Sequence, residues 1–106
     1  MSIKQVFNGC ALAAAAVLLA AGPAAGQEDS LKKYGCLACH AVDTKLVGPA
    51  YKDVAEKYKG QADAPDKLFA KVRRGGTGVW GQIPMPPNPL PSDDDLHKMI
   101  KYILSL

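Results

Sequence analysis

The stretch that most limits what this chain of 106 residues can become is Cys36-Leu37-Ala38-Cys39-His40. It reads C-x-x-C-H, the signature of covalent haem attachment. The spacing follows from the chemistry. Two thiols must reach two vinyl groups on one edge of a porphyrin and close thioether bonds. The imidazole that follows at once is carried under the ring, where it can ligate iron. A chain built this way folds around a planar macrocycle and acts on it through axial ligands, their hydrogen bonds and burial. Two other uses of paired cysteines stand beside this one. A thioredoxin-like dithiol needs a βαβ context, and no strand pattern precedes Cys36. A zinc site needs a second Cys or His pair, and outside the motif the sequence offers only Cys10 and His97.

Residues 1–26 read as a secretory signal peptide. Lys4 and the amino terminus make a short positive region, and Val6 to Ala21 is apolar apart from Asn8. Gly22-Pro23 breaks the run, and Ala24-Ala25-Gly26 offers small residues for cleavage after Gly26. The alternative is a retained membrane anchor, for which the stretch is short and rich in alanine. Cys10 precedes the apolar core, so it is read as a discarded leader residue. Removing 26 of 106 residues leaves a single domain over 27–106, of 80 residues. The chain has 13 Lys and Arg against 10 Asp and Glu, and the leader takes one Lys, leaving +2. That balance points to neither nucleic acid nor a strongly acidic partner. Export implies an oxidising compartment, and at this size a core is marginal without a staple. A tethered apolar macrocycle would be both.

Asp29 or Ser30 is expected to cap a short helix running through Leu31 to Gly35 into the motif. Gly35 inside a helix costs about 1 kcal/mol, so a close approach by another helix is expected there, with Tyr102 crossing nearby. The stretch Ala41 to Ala50 has no helical period and reads as a loop under the ring. A metal-bound His donates its second ring N–H to a carbonyl or carboxylate, and Pro49 is the candidate acceptor, beside the plainer reading of a Gly-Pro turn. Tyr51 to Tyr58 reads as a helix with Tyr51, Val54, Ala55 and Tyr58 on one face, ended by Gly60. Its tyrosines are read as packing groups. Pro65 opens another helix, Asp66 to Arg73, with Leu68, Phe69 and Val72 inward.

Lys71, Arg73 and Arg74 suit that helix's negative end, and one of them could instead neutralise a haem propionate. Gly75-Gly76-Thr77-Gly78 lacks the ending of a phosphate loop and reads as a flexible turn. Trp80 is either a core residue or a propionate donor. Ile83 to Pro91 holds five prolines, which forbid helix and central strand. Met85 among them is a candidate iron ligand, and a weak thioether ligand benefits from a restricted backbone. Pro84-x-x-Pro87 also fits a polyproline partner segment. Met99 competes as ligand, but beside Ile100 and Ile103 it reads as core filling. Ser92 caps a last helix whose stripe is Leu96, Met99, Ile100, Ile103 and Leu104. His97 lies off that stripe and reads as a surface residue. Four or five short helices without strands make the fold class all-α.

Four motifs in order carry a resemblance: Gly35-Cys-Leu-Ala-Cys-His40, Val47-Gly-Pro-Ala-Tyr51, Gly78-Val-Trp-Gly81 and Ile83-Pro-Met-Pro-Pro-Asn88. Together they make residues 28 to 106 resemble a small bacterial class I cytochrome c of the c-551/c-552 type. The resemblance implies helices wrapped around one covalent haem c, with thioethers through Cys36 and Cys39 and iron ligated by His40 and Met85. It implies a Pro49 carbonyl on the His40 ring, Trp80 and Lys71 at a propionate, and Asn88 steadying the Met85 loop. It implies a soluble periplasmic electron carrier, not an enzyme. Its donor would be a quinol-oxidising complex and its acceptor a nitrite reductase, terminal oxidase or peroxidase. Two features depart from the pattern. Tyr102 stands where relatives have Trp, and Pro89-Leu-Pro-Ser92 is one residue longer. Two other function classes remain beside it: a haem enzyme or gas sensor with an open sixth site, and a haem-free dithiol or metal module.

Overall fold

The computed structural model describes residues 23–106, with side chains from Gly26 onward. All but the end of the predicted leader, and Cys10 with it, lies outside the described residues. Four helices follow in order: α1 (Pro23–Lys33), α2 (Tyr51–Tyr58), α3 (Ala64–Arg74) and α4 (Asp93–Leu104). A single 3₁₀ turn at Cys36–Ala38 carries the thiols. Among the described residues there is no strand, only one antiparallel pair between Gly76 and Met85. The all-α reading holds.

α4 is the hub, and each of the other three helices packs against it. Its apolar stripe explains this. Leu96, Met99, Ile100 and Ile103 recur at helical spacing and are all buried. Each large side chain so buried contributes roughly 1.5–3 kcal/mol. Ser92 starts the helix by accepting the Asp95 backbone N–H at 3.1 Å, and Asp93, Asp94 and Asp95 occupy its positive end. Leu31 from α1 and Tyr51 and Val54 from α2 complete the core.

α1 differs from its sequence reading at both ends. In the uncleaved chain Ser30 lies inside the helix and does not cap it. The helix already runs from Pro23, and the Ser30 hydroxyl donates instead to the Gly26 carbonyl one turn back, at 3.1 Å. Gly35 does not lie inside the helix or under a neighbour. It follows α1 with φ +78 and has open space where a Cβ would stand. Glycine is used there because the chain leaves the helix through the left-handed region. Tyr102 is not near Gly35 either. Its hydroxyl donates to Glu28 Oε1 at 2.9 Å, about two turns upstream.

The reason is the antiparallel register of α1 and α4. Tyr34 donates to Asp95 Oδ2 at 2.5 Å, so the end of α1 meets the start of α4. The second tyrosine–carboxylate pair, Tyr102 with Glu28, closes the other end. At 1.5 Å per residue the two spans are about 9 and 10.5 Å, so both bonds fit one register.

Hydrogen bonding to Asp95, then burial and the carboxylate's charge, lifts the Tyr34 phenol above its ordinary value of 10.0. A folded value above the unfolded one means the contribution is present below pH 10 and is lost as pH rises through the folded value. The thermal midpoint should therefore fall above about pH 10. Tyr34→Phe should flatten part of that decline. The rest stays with Tyr51 and Tyr102, which burial also raises. Melting curves across alkaline pH check this; identical slopes in wild type and Tyr34→Phe would refute it.

Candidate functional site

A cavity of about 410 Å³ opens between the helices, within the usual range for ligand sites. Cys36, Cys39 and His40 come to it from the 3₁₀ turn, Pro49 and Tyr51 from the start of α2, and Lys71 and Val72 from α3. Trp80, Ile83 and Met85 come from the segment after α3. A second hollow of about 490 Å³ lies by Glu56, Lys59, Gln61 and Leu104. It contains no thiol, imidazole or thioether and offers none of this chemistry.

Local backbone bonds place His40. The His40 N–H and the Cys39 N–H both donate to the Cys36 carbonyl, at 3.0 and 3.2 Å. Gly48 N–H then donates to the Cys39 carbonyl at 2.7 Å, folding the loop back. The first two free N–H groups of α2, from Tyr51 and Lys52, are taken by the Ala41 and Val42 carbonyls. Pro49 is thereby set 2.8 Å from His40 Nδ1. A carbonyl oxygen only accepts, so Nδ1 is the donor, the tautomer that leaves Nε2 free to offer a lone pair to a metal. The ring stacks on Tyr51, centroids 4.9 Å apart. Gly48 lies hard against the other atoms, since a Cβ there would sit 2.5 Å from His40 Cε1.

Both thiols are unpaired and half-buried. Burial pushes the Cys36 thiol up, the reverse of the activated thiolate that dithiol exchange uses. Among the described residues no three His, Cys, Asp or Glu side chains converge as a metal cluster would require. Neither observation favours the dithiol or the zinc reading.

Met85 is half-buried, and its backbone exchanges two hydrogen bonds with Gly76, each 2.9 Å. Gly75 and Gly76 are thus no free turn. Gly75 has φ +67, and a Cβ there would stand 2.7 Å from Pro87 N. Met99 also reaches the cavity wall, at 1% exposure within the α4 core. The Lys71 ammonium lies beside Gly76, 3.2 Å from where a Cβ there would be. Trp80 is not a core residue. It is 42% exposed at the cavity edge, with the Lys57 ammonium 5.5 Å from its ring. Asn88 lies behind the loop. Its Nδ2 donates to the Tyr34 carbonyl at 3.1 Å, and its Oδ1 accepts from Leu90 N–H. His97 is exposed and stacks on Phe69.

Comparison with known proteins shows the family of the chain. The cytochrome c family profile matches residues 23–106. The chain belongs to the cytochrome c family. It is 53% identical to cytochrome c-551 of Pseudomonas aeruginosa over 95 residues, covering 89% of this chain and 90% of that one. It is 52% identical to cytochrome c-552 of Nitrosomonas europaea over 93 residues, covering 88% and 90%. The crystal structure of wild-type Nitrosomonas europaea cytochrome c552 superposes with TM-score 0.72, covering 74% of this chain and 98% of that chain. This cytochrome is accordingly a small electron carrier with one covalently bound haem c. The cavity fits that group: two thiols at one edge, an imidazole with its lone pair presented, and apolar walls.

Sequence reasoning missed Gly48, Gly75 and Arg73. The glycines are needed for close approaches between segments distant in sequence. Its place at the end of α3 suggests a dipole or propionate cation, yet Arg73 turns away from the cavity and onto the proline segment. Gly48→Ala should force the His40 ring or its loop to move, at about 1–3 kcal/mol, the usual cost of overpacking. Thermal unfolding of the haem-loaded protein measures it, and an unchanged midpoint would show that the ring is not held this tightly.

Proposed function

We propose that this cytochrome is a periplasmic one-electron carrier whose haem is joined to Cys36 and Cys39 and ligated by His40 and Met85. The observation that supports it best is that all four side chains line one cavity. Haem supplies an iron that alternates between the ferric and ferrous states. The chain's own residues do the rest. His40 is oriented by the Pro49 carbonyl, which fixes its tautomer and raises its basicity. Met85 supplies a thioether that favours the reduced state. With His40 and Met85 both holding the iron, no position would be left open to a substrate, which would suit a carrier and not an enzyme.

Lys71 and Trp80 at the cavity edge are the proposed propionate partners, and Asn88 steadies the loop behind Met85. The pattern of residues 1–26 supports export and cleavage, leaving a domain over 27–106. No helix among the described residues is long and apolar enough to cross a membrane. The partners are redox proteins. We place a quinol-oxidising complex upstream and a nitrite reductase, terminal oxidase or peroxidase downstream.

Met85→Ala in the haem-loaded protein should abolish the far-red absorption of sulfur-ligated ferric haem, lower the potential and admit cyanide rapidly. Met99→Leu should keep all three properties and cost under about 1.5 kcal/mol, as volume-conserving core changes do. The reverse pattern would make Met99 the ligand, and rapid cyanide binding to the wild type would favour an enzyme or sensor.

A further inference from the structure

The segment carrying Met85 poses a problem of attachment. Pro84, Pro86, Pro87, Pro89 and Pro91 have no N–H to donate. From Met85 to Pro91 only Met85, Asn88 and Leu90 keep a backbone donor. Met85 uses its own on Gly76 and Asn88 on Val72, at 2.9 and 2.8 Å, which ties the near leg to the end of α3. Leu90 uses its donor inside the segment, on Asn88 Oδ1. The far leg, from Pro89 to Pro91, has nothing left to give to α3 except carbonyl oxygens. Pro91 is packed into the core, but any hydrogen bond that ties this leg to α3 must come from a donor on α3.

Arg73 brings that donor. It stands in the last turn of α3 with only 22% of its side chain exposed. Nη1 donates to the Asn88 carbonyl at 3.2 Å, and Nη2 donates to the Pro91 carbonyl at 2.6 Å. Nη2 also reaches Asp93 Oδ1 at 2.8 Å. The guanidinium lies 5.2 Å from the Phe69 ring centroid, and Phe69 is itself stacked on His97 of α4 at 4.6 Å. The fork therefore sits between α3 and α4 and reaches the carbonyls of Asn88 and Pro91, which bracket Pro89 and Leu90. A lysine could supply one point of charge but not this two-ended grip.

We infer that Arg73 is a positioning residue for Met85, gripping the Asn88 and Pro91 carbonyls and so setting how often the sulfur leaves the iron. The inference rests on Met85 as the axial ligand. Hydrogen bonds from a charged group are each strong enough that losing two changes an opening equilibrium at least tenfold. The Asp93 contact matters less, because its carboxylate is 77% exposed and such pairs contribute little.

The test uses the ferric haem-loaded protein and its Arg73→Gln, Arg73→Lys and Asp93→Asn variants, with imidazole as the probe. Wild type should show the far-red sulfur band and bind imidazole at a rate limited by loss of the thioether. Arg73→Gln should raise that rate by about tenfold or more, Arg73→Lys by less, and Asp93→Asn by no more than about twofold. In amide exchange, Arg73→Gln should strip protection from Met85 and Asn88 while Leu96 and Ile100 stay as in wild type. Should Arg73→Gln fail to fold, Arg73→Lys carries the same comparison. An unchanged imidazole rate in a wild type that shows the band overturns the role of Arg73 alone. So does loss of protection spread evenly over α4. A wild type without the band overturns Met85 ligation and this inference with it.

Discussion

The residues that make the hydrophobic core are also the wall of the cavity. Leu31, Tyr51, Val54, Leu96, Met99, Ile100 and Ile103 form the buried cluster, and every one of them lines the cavity proposed for the haem. Val47, Val79, Trp80 and Ile83 line it too, with 42–66% of their surfaces open. A chain of this size has too little apolar surface to close a core by itself. Its helices pack on α4 with their remaining apolar area turned toward one shared space. Whatever fills that space is worth roughly 25 cal/mol per Å² of apolar surface it covers, so binding and folding are coupled.

The two proposed iron ligands are held by different means. His40 is positioned by its near neighbours in sequence, through Pro49, Gly48 and Tyr51, all within eleven positions of it. Met85 lies on a segment with few donors of its own, and its restraints come from Val72, Arg73 and Gly76 at the end of α3 and from Tyr34 beyond α1. Local geometry can fix an imidazole. A thioether on a proline-rich segment needs help from elsewhere in the fold.

This difference also explains what was legible in the sequence. α2 over Tyr51–Tyr58 and the Ser92 cap of α4 follow from periodicity and cap chemistry, which are local. The C-x-x-C-H stretch and Met85 could be read because their chemistry demands particular residues at fixed spacing. The start of α1, the role of Gly35 and the partner of Tyr102 could not be read this way, since they depend on the antiparallel register of α1 and α4. Arg73 was hidden for a similar reason. A basic residue at a helix end already has a sufficient local explanation, and only the tertiary structure shows that its fork points at carbonyls fifteen and eighteen positions away.

The order of the elements along the chain has a consequence for assembly. The thiols belong to the first half of the sequence, and α4, which walls the cavity and joins the other helices, comes last. A polypeptide is made from its amino terminus, so both cysteines are available while the closing helix is still unmade. During that interval a large, rigid, planar molecule can reach them without displacing packed side chains.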